Sequence, residues 1–243
     1  MEIRICKNSE ELGISAAKYT AQVLKDAISK KGSARIVLST GASQFDTLKA
    51  LVKEDGIKWE CVEMFHLDEY VDLPETHVAS FRKYLKERFV AKVGTLKATH
   101  FVDGTKECIA KLTEEIRKEP IDIGLIGIGE NAHIAFNDPP ADFDTKEAYI
   151  IVNLNERCKR QQMGEGWFDT IEDVPKQAVS MTAYQIMQCK KIVSCVPYKV
   201  KAEAVEKTVK TEEVTNLVPS TLLKTHPDFV LYVDMDSASG ILS

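Results

Sequence analysis

No stretch of this sequence approaches the roughly 18 apolar residues of a membrane-spanning helix. The N-terminus, MEIRICKNSEE, also lacks the apolar core of a secretory signal. A protein that stays in the cytoplasm is the expectation. The six cysteines (Cys6, Cys61, Cys108, Cys158, Cys189 and Cys195) contain no C-x-x-C pair and no metal-ligand spacing, which argues against a zinc module or a disulfide scaffold. Four of them fall in apolar stretches, where a free thiol behaves as a small hydrophobe; reduced thiols are expected. Basic residues are too few for a nucleic-acid binder: 32 Lys and Arg face 37 Asp and Glu, for a formal net charge of -5. A small anionic substrate is still open, because net charge says little about the field inside one pocket. Repeats, low-complexity tracts and linkers marked by a composition shift are all lacking.

What the chain does contain is alternation. Short apolar runs rich in β-branched residues, Arg35–Ser39, Cys61–Leu67, Ile121–Ile128, Ala148–Leu154, Lys190–Val196 and Asp228–Asp234, read as strands. Several are apolar on both faces, as buried parallel strands must be. Helical patterns lie between them: one opening at Ser9 as cap and ending before Gly32, then Ser43–Lys53, Val78–Val90, Lys106–Lys118 and Lys199–Lys210. The pattern predicts a doubly wound, mainly parallel sheet with helices on both faces, a Rossmann-like α/β domain spanning all 243 residues. Ligands in such folds sit beyond the carboxyl ends of the strands, so the loops after the strands matter most.

The first, STGASQFDTLKAL, runs from a strand through Thr40, Gly41, Ala42 and Ser43 into a helix. Free backbone N–H groups and hydroxyls there suit a phosphate, although an N-capped helix would read the same way. It is neither a P-loop nor a dinucleotide fingerprint, because no GK[ST] or GxGxxG is present in it. The second, HLDEYVDLPETHVASFRKYL, puts Asp68 and Glu69 at a strand end. A half-buried carboxylate there is a candidate general base, and a solvated turn is the alternative. The third, GIGENAHIAFNDPP, holds His133, the one group in that loop able to shuttle a proton near neutral pH. Asn131 and Asp138 are close enough in sequence to orient its ring. Farther on, Arg157 and Arg160 lie in NLNERCKRQQMGEGWF, and Lys199 opens a helix just after a strand, where a cation can reach a phosphate at the same rim.

In this order, STGAS, FHLDEYVDLPETHVASFRKYL, GIGENAHIAFNDPP and the Arg157 and Lys199 segments resemble the glucosamine-6-phosphate deaminase (isomerase) family. Related 6-phosphogluconolactonases share the strand–Gly–His layout. The resemblance implies conversion of a 2-amino-2-deoxyhexose 6-phosphate to the ketose 6-phosphate and ammonia, with glucosamine 6-phosphate or galactosamine 6-phosphate as substrate. By position it makes Asp68 the base moving a proton between C2 and C1, His133 the ring-opening acid/base, and Asp138 the acid orienting that histidine. Thr40, Gly41, Ala42, Ser43, Arg157 and Lys199 fall at the phosphate-binding positions. No metal and no organic cofactor are implied. The protein would act as a monomer or homo-oligomer, with no nucleic-acid or membrane partner.

Two departures from the family pattern stand out. Where the family reads Asn-Asp-Gly-His, this chain reads Glu130-Asn131-Ala132-His133. Asn131 can fix a histidine tautomer but cannot stabilise an imidazolium by charge, so restoring an acid there is expected to raise turnover. Thr-Gly-Ala-Ser replaces Thr-Gly-Gly-Thr at the phosphate turn, which requires a negative φ at Ala42. Two alternatives follow: a lactone hydrolase using His133 on water with no need of Asp68, or a sugar-phosphate sensor without turnover.

Overall fold

The central strands expected from the sequence are buried on both faces, and their side chains divide accordingly. In β2 (Ala34–Leu38), Ile36 and Leu38 pack into one core layer, whereas Val37 joins Phe65 in the layer on the opposite face. The period-2 alternation of a strand produces that division, and a computed structural model describing residues 1–164 and 166–242 shows both faces covered. Among the described residues a seven-stranded sheet runs in the order β1-β10-β9-β6-β2-β3-β5. Its members are β1 (Glu2–Cys6), β2, β3 (Val62–His66), β5 (Ala98–His100), β6 (Ile123–Leu125), β9 (Ile192–Val196) and β10 (Phe229–Asp234), with every adjacent pair parallel. From β2 the chain moves outward to β3 and β5, then returns to β6 and moves the other way to β9 and β10. The order therefore reverses between β2 and β6, where a doubly wound sheet opens a crevice.

The helices are α1 (Ser9–Lys31), α2 (Phe45–Leu51), α3 (Phe81–Leu85), α4 (Ala91–Val93), α5 (Lys106–Arg117), α6 (Glu156–Gly164), α7 (Ala183–Ile186) and α8 (Ala202–Lys210). The cap of α1 is Asn8 rather than Ser9: its extended backbone lets the side-chain oxygen accept the Glu11 N–H. Gly32 closes the helix in the left-handed conformation, as expected. The helix expected from Val78 begins only at Phe81, because Ser80 caps it by accepting the Lys83 N–H. A π-helical turn, Lys86–Val90, then joins α3 to α4.

One strand expected in the main sheet lies elsewhere. Tyr149–Asn153 (β7) pairs antiparallel with β8 (Gln177–Met181), and β8 pairs with β4 (Asp68–Tyr70). This second sheet carries one residue of the candidate site, since Asp68 lies opposite Ser180. A third core, built on Tyr70, Phe136 and Phe168, packs there.

Candidate functional site

The cavity lies at the reversal between β2 and β6, and loops from four strands of the main sheet line it. After β2, Gly41 adopts φ 95°, a conformation that favours glycine. It turns the chain so that Ala42 starts a short 3-10 turn leading into α2. Ala42 is absent from the described non-glycine residues of positive φ, as its place in this turn requires. Among the described residues, the backbone N–H groups of Gly41, Ala42 and Ser43 have no protein acceptor, so the turn presents a set of donors to the cavity. Gln44 anchors it by donating to the Cys195 carbonyl (3.2 Å) and to Ser43 Oγ (3.0 Å). Across the crevice, the Gly127 N–H donates to Ser39 Oγ (3.1 Å).

The adjacent acids after β3 separate by strand alternation. Glu69 is fully buried and turns away from the cavity. It accepts from Ser80 Oγ (2.9 Å) and from the Phe81 and Arg82 N–H groups, and it pairs with the Arg82 guanidinium (3.2 Å). It is the anchor of the α3 N-terminus. Asp68 lines the cavity. Burial, reinforced by the neighbouring Glu69 charge, pushes its pKa up to about 8.

The loop after β6 is shaped around His133. A Cβ at Gly129 would lie 2.2 Å from Cε1 and Nε2 of the imidazole, so the ring packs against a backbone that only glycine can supply. His133 Nδ1 sits 2.6 Å from Asn131 Oδ1 and 3.1 Å from Asp138 Oδ1. Asn131 Nδ2 donates to the same Asp138 oxygen (2.9 Å), which fixes the amide so that its oxygen faces the histidine. Both neighbours of Nδ1 are therefore acceptors. Nδ1 carries the proton and Nε2 is the basic nitrogen of the neutral ring. Burial pushes the Asp138 carboxyl up, but the hydrogen bonds and charge of His133, with further hydrogen bonds from Asn131 and Cys158, hold it below the usual carboxylate range. The charge that Asn131 lacks is thus present at Asp138. The loop's unusual backbone falls at Ala132 (φ 67°) and Ala135 (φ 50°), not at Ala42. His66, by contrast, is a core histidine: burial pushes its pKa down to about 3, and its Nδ1 accepts the Val102 N–H (3.3 Å).

Two of the expected cations lie outside this cavity. Lys199 donates to Ser239 Oγ on the surface (2.8 Å), whereas the buried Lys201 lines the cavity. The physical reason is helical periodicity: Lys201 shares the inward face with Ala204, Val205 and Thr208, at spacings of three, four and seven. Arg157 and Arg160 are exposed and line an adjoining depression with Glu130 and Val200. From the same helix, α6, Gln161 and Gln162 reach the main cavity, and the Tyr70 hydroxyl donates to Gln162 Oε1 (2.6 Å). Thr40, Gly41, Ala42, Ser43, Asp68 and His133 line one cavity, with Asn131 and Asp138 directly behind the histidine. Sequence reasoning missed Lys201, Gln161, Gln162 and Tyr198. The inward helical stripe was a readable signal for Lys201 alone.

The fold and the cavity together define an α/β enzyme of the doubly wound class. The chain belongs to the family described as glucosamine-6-phosphate isomerases/6-phosphogluconolactonase, whose model matches residues 7–231. The glucosamine-6-phosphate deaminase of Shouchella clausii (strain KSM-K16) is 35% identical over 248 residues, covering 98% of this chain and 97% of that protein. Glucosamine-6-phosphate deaminase 1 of Bacillus subtilis (strain 168) is 30% identical over 250 residues, covering 98% and 99%. The solved structure of a monomeric glucosamine-6-phosphate deaminase matches with a TM-score of 0.88 at 27% identity, over 99% of this chain and 100% of that one. A 6-phosphogluconolactonase from Shewanella baltica OS155 shares the fold, with a TM-score of 0.76 at 15% identity over 96% and 97% of the two chains.

Proposed function

We propose that this protein is an amino-sugar-phosphate deaminase, converting a 2-amino-2-deoxyhexose 6-phosphate to the ketose 6-phosphate and ammonia. The observation that carries this reading is the buried Asp68 carboxyl sharing a cavity with His133 and the donor-rich turn Thr40–Ser43. The turn N–H groups and the Lys201 ammonium hold the phosphate at one end. His133, with Nε2 basic, takes the anomeric hydroxyl proton and returns a proton to the ring oxygen, opening the sugar. Asp138 stabilises the imidazolium formed between the two transfers, and Asn131 fixes the tautomer.

Asp68 then removes the C2 proton of the open aldehyde and delivers a proton to C1. The product is a ketose imine at C2, to which water adds as ammonia leaves. A carboxylate held at a raised pKa is a stronger base than one in water, which suits abstraction of a carbon-bound proton. The same elevation means Asp68 must lose its own proton first, so activity should rise with pH toward about 8. A lactone hydrolase would leave this buried acid without a role. The Arg157 and Arg160 side chains lie beside the cavity, where they raise the local anion concentration. No helix among the described residues is long and apolar enough to cross a membrane, and no disulfide joins any of the six cysteines among the described residues. Both features support a cytoplasmic setting, and the protein would act there as a monomer or homo-oligomer.

The test is ammonia release from glucosamine 6-phosphate and galactosamine 6-phosphate, with Asp68→Asn as control. Release from either sugar, lost in the variant, supports the reading. Hydrolysis of 6-phosphogluconolactone that survives Asp68→Asn, with no ammonia from either amino sugar, overturns it.

A further inference from the structure

Tyr198 stands in a backbone conformation that tyrosine avoids. With φ 80° and ψ 146° it occupies a region populated essentially by glycine. The backbone around it is fixed on both sides. Its N–H donates to Asp234 Oδ2 (3.0 Å), and its carbonyl accepts the Lys201 N–H (3.0 Å). Asp234 is itself held by the Ser237 N–H (2.8 Å). A glycine would make the same backbone bonds without strain, so they give no reason for a tyrosine here.

The side chain supplies the reason. It lines the cavity together with Gly41, Ala42, Ser43 and Lys201. Ser9 at the start of α1 and Asp46 at the start of α2 lie close enough to act on its hydroxyl. Tyr84 is also close, and its hydroxyl donates to the Gly41 carbonyl (3.0 Å). The ring therefore stands beside the donor-rich turn on the side of α1 and α2, at the end of the cavity opposite in role to Asp68 and His133.

We infer that Tyr198 is a specificity-determining residue that walls off the anion end of the cavity, so that the site takes a terminal phosphate monoester and rejects a phosphate bearing a further substituent. This rests on the deaminase reading for the choice of sugar. An aromatic wall beside the turn keeps water from the Lys201–phosphate contact, which strengthens it. It also leaves no room for a second ester group, and a diester has one charge fewer for Lys201 and the turn to bind.

The test compares 2-amino-2-deoxyglucitol 6-phosphate, which cannot isomerise, with its methyl phosphodiester, using calorimetric titration of wild type, Tyr198→Gly and Tyr198→Phe. The wild type and Tyr198→Phe should prefer the monoester, and Tyr198→Gly should lose about tenfold of that preference. Because glycine relieves the backbone strain, the Tm of Tyr198→Gly should not fall. Unchanged discrimination in Tyr198→Gly, with the monoester still bound, overturns this inference and leaves the deaminase reading standing. Equal weakening of both ligands with a lowered Tm would mark Tyr198 as a packing residue and also overturns it. A wild type that binds neither ligand overturns the deaminase reading, and this inference with it.

Discussion

Replacing Asp68 with asparagine should abolish turnover and, at the same time, stabilise the protein increasingly as pH rises. The Asp68 carboxyl ionises near 3.8 in an unfolded chain and is pushed up to about 8 in the folded one, first by burial and then by the Glu69 charge. Between those values the folded state binds the extra proton, so stability is fully present below the lower value and is lost as pH climbs toward the upper one. Each pH unit in that window is worth up to about 1.4 kcal/mol. From pH 5 to pH 8 the upper bound is therefore about 4 kcal/mol, and an expectation of about 2–4 kcal/mol allows for relaxation around the ionised group. An asparagine cannot ionise, so the variant escapes this loss. Any fixed cost of the amide is the same at every pH and cancels in the comparison. Urea unfolding of both proteins at pH 5, 6.5 and 8 measures the gap. In Tm the widening corresponds to roughly 5–10 °C for a chain of this size. A gap that stays constant within about 0.5 kcal/mol would show that the carboxylate is solvated. The base assignment would then lose its physical support.

Other substitutions separate the parts of the site. Gly129→Ala places a methyl 2.2 Å from the His133 ring, and the displaced imidazole should cost about 100-fold in kcat; kcat within threefold of wild type would refute the packing argument. Lys201→Met should raise KM about tenfold or more, whereas Lys199→Met should leave it within about twofold, because only Lys201 lines the cavity. Asn131→Asp removes a donor to Asp138 and sets a second carboxylate against it. A second carboxylate there would hold the ring proton more tightly, so turnover at neutral pH should fall, which reverses the expectation from sequence; the steady-state kcat of the variant at neutral pH checks it. Ala132→Gly, which relieves a φ of 67°, should stabilise the fold by about 0.5–1 kcal/mol without changing kcat.

The parts of the fold that were legible in the sequence are those with a one-dimensional signature. Strands such as Ile192–Val196, with every residue buried, announce themselves as apolar runs, and their alternation with helices dictates the doubly wound sheet. Glu2–Cys6 escaped because, as an edge strand with four of five residues at least partly exposed, it carries no such run. Tyr149–Asn153 was recognised as a strand, but nothing local specifies which sheet it joins. That choice depends on Gln177–Met181, which lies some 25 residues on and brings Asp68 into register. The candidate site follows the same division. His133, Asp68 and the turn at Thr40–Ser43 could be found because each follows a strand. The exchange of Lys199 for Lys201 turned on helix phase, and the inward reach of Gln162 on the partnership with Tyr70 across the second sheet.

Helix phase decides which cation reaches the cavity, and a local charge balance decides what Asn131 does there. His133 and Asp138 are only 11% and 12% exposed at their side chains, so any net charge they carry is costly to desolvate. With one carboxylate beside Nδ1, protonating the ring leaves the pair neutral, and deprotonating it leaves a single charge spread over hydrogen bonds from His133, Asn131 and Cys158. Two carboxylates would hold the proton more tightly and slow its release. In the proposed reaction His133 must both take and give a proton in one turnover. Asn131 meets that need as a connector. Its Oδ1 accepts from the His133 backbone and faces the ring nitrogen, while its Nδ2 steadies Asp138. An amide can donate and accept at once, and a carboxylate at the same position could only accept. The neutral residue at 131 is thus compatible with proton transfer because the charge has been placed at 138.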